Sequence, residues 1–153
     1  MSRIYEQVNK VRYSVDNFLE DCTAIVARRL EDRETVARVE PLVKKLIGRH
    51  ECLEDLGSDP FPEKGFDIHL GEALSVQAIV WQAGARTPTH NHNGWAVLGV
   101  LRGAESNTAY RRIDDGSTPW HAKLEKQVEV ITRPGETAVM IPPDDIHSVD
   151  IAH

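Results

Sequence analysis

Gly84-Ala-Arg-Thr-Pro-Thr-His90-Asn-His92-Asn-Gly-Trp-Ala96-Val-Leu-Gly-Val-Leu-Arg-Gly103 is the stretch on which the reading of this chain turns. In extended backbone, residues two apart project to the same side, so His90 and His92 can aim both imidazoles at one point. Imidazole nitrogen suits iron, zinc, copper and nickel, whereas magnesium and calcium prefer oxygen. A His-x-His pair alone would look the same if both rings were solvated on the outer face of a strand. The segment 95–101 that follows has strand character and closes on Gly103.

Working outward, the chain divides in two. On the N-terminal side Ile4, Val8, Val11, Val15, Phe18, Leu19, Cys22, Ile25, Val26 and Leu30 recur at three- and four-residue steps. They form one apolar helix face over 4–30, or the faces of two helices joined near 14–17. Leu42, Val43, Leu46 and Ile47 follow Pro41, a residue suited to the first turn of a helix, and Gly48 offers a stop. Residues 1–56 thus read as a helical segment. GSDPFPEKG at 57–65 is rich in turn formers and ends it. Beyond it lie short segments of strand character at 66–70, 74–81, 95–101, 108–113, 128–131, 137–141 and 147–151. Turns at Ala83-Gly84, Asp114-Asp115-Gly116, Arg133-Pro134-Gly135 and Pro142-Pro143 separate them. No helical period returns, which predicts a mostly β domain, an antiparallel sandwich or barrel over 66–153 preceded by helices.

A length of 153 residues with 41% hydrophobic and 27% charged content suits one domain spanning 1–153, large enough to bury a core. Net charge is -6, and the first 50 residues carry 10 basic against 8 acidic side chains, leaving 8 against 16 in the remainder. No basic field exists to draw a phosphate backbone, and no Lys/Arg run suggests a membrane anchor. The opening MSRIYEQVNK lacks the apolar core of a signal peptide, and no apolar run reaches transmembrane length. A cytoplasmic location is expected, with no nucleic acid, membrane or protein partner. Cys22 and Cys52, outside any CxxC pattern, are expected to be reduced thiols, packed or idle.

The central stretch fits the cupin pattern Gly-x5-His-x-His-x(3-4)-Glu-x6-Gly at Gly84, His90, His92 and Gly103, with Ala96 at the glutamate position. The second cupin motif, Gly-x(5-7)-Pro-x-Gly-x2-His, is met by Gly135, Pro142 and His147, with Asp144 where the motif has glycine. The chain therefore resembles a cupin, a double-stranded β-helix barrel, and the resemblance implies a metal held by His90, His92 and His147. Loss of the glutamate leaves three neutral imidazoles and an ion with its full positive charge and more open positions.

That loss narrows the resemblance to the cysteine dioxygenase family of thiol-oxidising cupins, which replace this glutamate. Its most specific stretches here are Arg86-Thr-Pro-Thr-His-Asn-His, Trp95-Ala-Val-Leu-Gly-Val-Leu-Arg-Gly-Ala-Glu105 and Ile146-His147. They are similar to the bacterial branch that includes 3-mercaptopropionate dioxygenases. The resemblance implies Fe(II), a small thiol and dioxygen, and oxidation of the thiol to its sulfinic acid. Two departures accompany it. Family members carry a Ser-x-His-x-Tyr relay after the third histidine, whereas this sequence ends at His153, so the relay and closing barrel strands are expected to be missing. The segment Phe66-Asp-Ile-His-Leu70 also lacks the arginine with which the animal enzymes clamp a carboxylate. His69, Arg86 and Trp95 are candidate substrate contacts, set against plainer roles as a structural strand histidine, an ion-pair partner and a wall residue. His50, His121 and His153 are expected to be solvated. A different cupin metalloenzyme and a non-catalytic truncated cupin are the alternatives.

Overall fold

The computed structural model describes residues 13–48 and 65–151; the expectations for residues 1–12, for 49–56, for the 57–64 loop and for Cys52, His50 and His153 lie outside them. Two helices come first, α1 (Val15–Val26) and α2 (Asp32–Ile47). Seven strands follow: β1 (Phe66–Leu70), β2 (Ser75–Ala78), β3 (Ala96–Gly99), β4 (Glu105–Arg112), β5 (Leu124–Thr132), β6 (Thr137–Met140) and β7 (His147–Ile151). They make three antiparallel sheets, β1–β2, β3–β6 and β5–β4–β7. The expected order of helices then antiparallel strands holds. Among the described residues no helix is long and apolar enough to cross a membrane.

Helix α1 starts where Ser14 can cap it. The Ser14 hydroxyl accepts from the Asn17 N–H at 3.1 Å, and the Asn17 side chain accepts from the Ser14 N–H at 3.2 Å, a reciprocal capping box. The helix ends at Val26 rather than continuing to Leu30, because Arg29 takes a left-handed conformation (φ 51) that breaks the ladder. Helix α2 corrects a second expectation. It begins at Asp32, so Pro41 sits in its interior instead of its first turn. Both Pro41 and Ala37, whose carbonyl loses its partner, lie on the solvent face, where water can replace the lost hydrogen bond. Asp32 and Glu34 in the first turn and Lys44 and Lys45 in the last complement the helix dipole.

The principal core lies between the helices and the first sheets. Tyr13, Phe18, Cys22, Val39 and Val43 are buried together, and Leu46, Ile47, Val76, Trp95 and Val97 pack on them. Helix α2 approaches β3 so closely at Gly99 that a Cβ there would stand 2.8 Å from Val43 Cγ1. The Thr137 hydroxyl on β6 donates to Glu40 at 2.7 Å and adds a polar tie between the same layers. Cys22 is a free, fully buried thiol pushed up to about 11, first by burial and then by the Asp21 charge, which keeps it protonated and inert.

Strands β4 and β5 are longer than expected. Pairing with β7 on one side and β5 on the other draws polar Glu105, Ser106 and Asn107 into β4, and β4 in turn carries charged Leu124–Thr132 as an exposed edge. Strand β2 is shorter than 74–81 because its pairing with β1 ends at Ala78.

Candidate metal centre

The segment from Gly84 to His90 runs beside β7 without forming a regular strand. Gly84 N–H donates to the Ile151 carbonyl at 3.0 Å, and Thr87 N–H donates to the Val149 carbonyl at 2.9 Å. The Thr87 hydroxyl accepts the Val149 N–H at 2.8 Å. His90 and His147 then exchange both backbone hydrogen bonds, at 2.9 and 2.8 Å. Residues paired in this way project their side chains to the same face, so two imidazoles stand together although 57 positions separate them in the chain. Gly84 (φ 78) and Gly135 (φ 84), which open the two cupin-like motifs, both occupy left-handed backbone that glycine adopts without penalty.

His92 reaches the cluster from a turn, not from strand alternation. Asn93 takes φ 54, and the His92 N–H donates to Asp145 Oδ2 at 3.1 Å. Asp145 is buried and belongs to the turn before β7, so this bond joins the two motifs directly. The ligand-capable nitrogens of His90, His92 and His147 all lie within 4.8 Å of one another, and no carboxylate belongs to the group. His92 Nε2 and His147 Nε2 are 3.0 Å apart. With metal–imidazole bonds of roughly 2.1 Å, adjacent nitrogens of an octahedral ion stand about 3.0 Å apart. The same 3.0 Å contact is a hydrogen bond between the two rings, and it is the all-imidazole donor set that suits a transition metal.

Each ring is oriented differently. His90 Nδ1 lies 2.9 Å from the Pro88 carbonyl, which can only accept, so Nδ1 carries the proton and Nε2 keeps its lone pair. His147 Nδ1 lies 3.0 Å from Asn107 Oδ1. His92 Nδ1 has no hydrogen-bond partner among the described residues. Burial, then repulsion from His90 and His92, lowers His147 to about 4, with Asp145 opposing. His92 is lowered by burial and by His90, again against Asp145. Both shifts favour the neutral imidazole, the form that binds metal.

The other candidates fall elsewhere. Arg86 is exposed and pairs with Asp150 at 2.6 Å, the structural ion pair its plainer reading anticipates. Trp95 packs on the helical core. His69 lies on β1, with its Nε2 2.9 Å from where a Cβ on Gly71 would be. His121 is exposed. None of the four belongs to the histidine group. Sequence reading missed Asn107, Glu105 and Asp145 as its supports, since only the β4–β7 register and the turn before β7 bring them there. No protein-family model matches the chain.

Proposed function

We propose that this chain is an iron-dependent thiol dioxygenase on a cupin barrel, converting a small thiol to its sulfinic acid. The observation that carries this reading is the convergence of His90, His92 and His147 with no carboxylate among them. Ala96, at the position where the cupin pattern has glutamate, offers no ligand atom. Support for the cupin assignment comes from both motifs meeting at one place through the His90–His147 pair and the His92–Asp145 bond.

The overall reaction is RSH plus dioxygen giving RSO2H, with both oxygen atoms on sulfur, the sulfur oxidised and dioxygen reduced. Ferrous iron, when bound, supplies adjacent positions for thiolate and dioxygen and favours the deprotonated sulfur. The three histidines hold the ion as neutral ligands and are not acid–base groups. Asp145 fixes the backbone under His92 and sets a negative charge near the site.

Iron reconstitution and oxygen uptake test the proposal. Anaerobically loaded protein is expected to hold about one iron per chain, and His92→Ala to lose most of it, because two ligands hold a divalent ion far less well than three. Oxygen uptake on L-cysteine, 3-mercaptopropionate and cysteamine is expected to show thiol-dependent turnover to sulfinate without preference for L-cysteine, since Phe66–Leu70 contains no arginine. A protein that takes up no iron points to a non-catalytic cupin. Iron binding without thiol-dependent oxygen consumption points to a different metalloenzyme.

A further inference from the structure

Strand β4 carries Glu105, Asn107 and Ala109 on one face, and Ala109 is directly opposite His147 on β7. The small Ala109 side chain leaves the His147 ring room to lean along the strand toward Asn107, its diagonal neighbour. Asn107 Nδ2 donates to Glu105 Oε1 at 2.6 Å, and Asn107 Oδ1 lies 3.0 Å from His147 Nδ1. Glu105 is only 5% exposed and has no cationic partner among the described residues, and a buried carboxylate of that kind is costly to keep.

With Glu105 ionised, the donor and acceptor inventory leaves one consistent assignment. A carboxylate accepts and does not donate, so the NH2 of Asn107 must face Glu105 and its carbonyl oxygen must face His147. That oxygen can only accept, so His147 carries its proton on Nδ1 and points an unprotonated Nε2 at His90 and His92. Without Glu105 the amide could turn over, present its NH2 to His147, and move the proton to Nε2, where it would block a metal.

We infer that Asn107, oriented by the buried Glu105, is a positioning residue that sets the His147 tautomer and holds its Nε2 lone pair toward the metal centre. The inference rests on the metal reading of the three histidines. It places a carboxylate–amide–imidazole chain behind one ligand, whereas His90 takes its orientation from a backbone carbonyl two residues away. His147 is therefore the ligand whose metal affinity side-chain substitution on β4 can tune.

The test uses the full chain, with Co(II) as the probe and 15N-histidine NMR on the metal-free protein. In the unmodified chain His147 is expected as the Nδ1–H tautomer, and Co(II) binding to be saturable. Asn107→Leu is expected to weaken Co(II) binding about 10- to 100-fold, the usual effect of losing an outer partner, and to give His147 a mixed tautomer. Glu105→Gln keeps an oxygen that accepts from the Asn107 NH2 and is expected to keep both the tautomer and most of the affinity, whereas Glu105→Leu removes it and is expected to lose both, a contrast that a merely structural role for Asn107 would not require. Failure of the unmodified chain to bind Co(II) overturns the metal centre and this role with it. Intact binding there, with Asn107→Leu unchanged in affinity and tautomer, overturns the positioning role alone. An Nε2–H tautomer in the unmodified chain overturns it too, and that measurement stands even if Asn107→Leu does not fold.

Discussion

Replacing Gly99 with alanine is expected to loosen the docking of α2 on the β3–β6 sheet. The added methyl would meet Val43 Cγ1 at 2.8 Å, Ile47 Cδ1 at 2.9 Å and Ile47 Cγ2 at 3.1 Å. Favourable carbon–carbon separations are about 3.5–4.0 Å, so each contact has to open by roughly 0.5–1 Å. Val43 is buried and Ile47 half-buried on the same helix face, so neither side chain can swing into solvent without uncovering the core. Overpacking of this kind costs about 1–3 kcal/mol. For a chain of this size each kcal/mol is worth about 2–4 °C, giving a fall in Tm of about 2–12 °C. Thermal melts followed by circular dichroism, with urea midpoints alongside, measure it. Val43→Ala opens the space that the new methyl needs. The double variant is therefore expected to lose less than the two single losses combined, by at least about 0.5 kcal/mol. An unchanged midpoint for Gly99→Ala, or strict additivity in the double variant, would show that α2 does not bear on β3 at this point.

Three further outcomes follow from individual residues. Glu105 is raised above its ordinary value of 4.5, chiefly by burial, against the opposing hydrogen bond from Asn107. Its ionised form is thus disfavoured by folding: the cost is absent below pH 4.5, where both states are protonated, and grows as pH rises through the folded pKa. Glu105→Gln is expected to raise Tm at pH 7 and to lose that advantage as pH falls below 4.5; an advantage that persists in acid would refute the burial account. Ser14→Ala removes the side-chain half of the α1 capping box and is expected to cost about 1 kcal/mol in urea denaturation, with no loss if the helix end is held by packing alone. Cys22, held near 11 and buried, is expected to resist iodoacetamide at pH 8 in the native protein and to react once unfolded, as peptide mass spectrometry of its alkylation can show.

What the sequence by itself determined is what local spacing encodes. Strand segments 66–70 and 147–151 coincide with β1 and β7, because alternation and turn residues act over a few positions. Phe18, Cys22 and Val43 were legible as helix-face residues for the same reason, and all three are buried. The histidines were legible because the two motif spacings place ligand-type side chains at fixed positions. The start of α2 was hidden by Asp32, Arg33, Glu34, Arg38 and Glu40, which mask the buried Thr35, Val36 and Val39. The tertiary structure alone decided how the imidazoles converge. His90 meets His147 through a backbone pair, His92 arrives from a turn tied to Asp145, and Asn107 reaches His147 through the β4–β7 register. A period of two says which face a strand residue occupies but not which residue of a distant strand lies opposite. That choice belongs to the pairing of backbone edges, and here it places a buried carboxylate and an amide behind one candidate metal ligand.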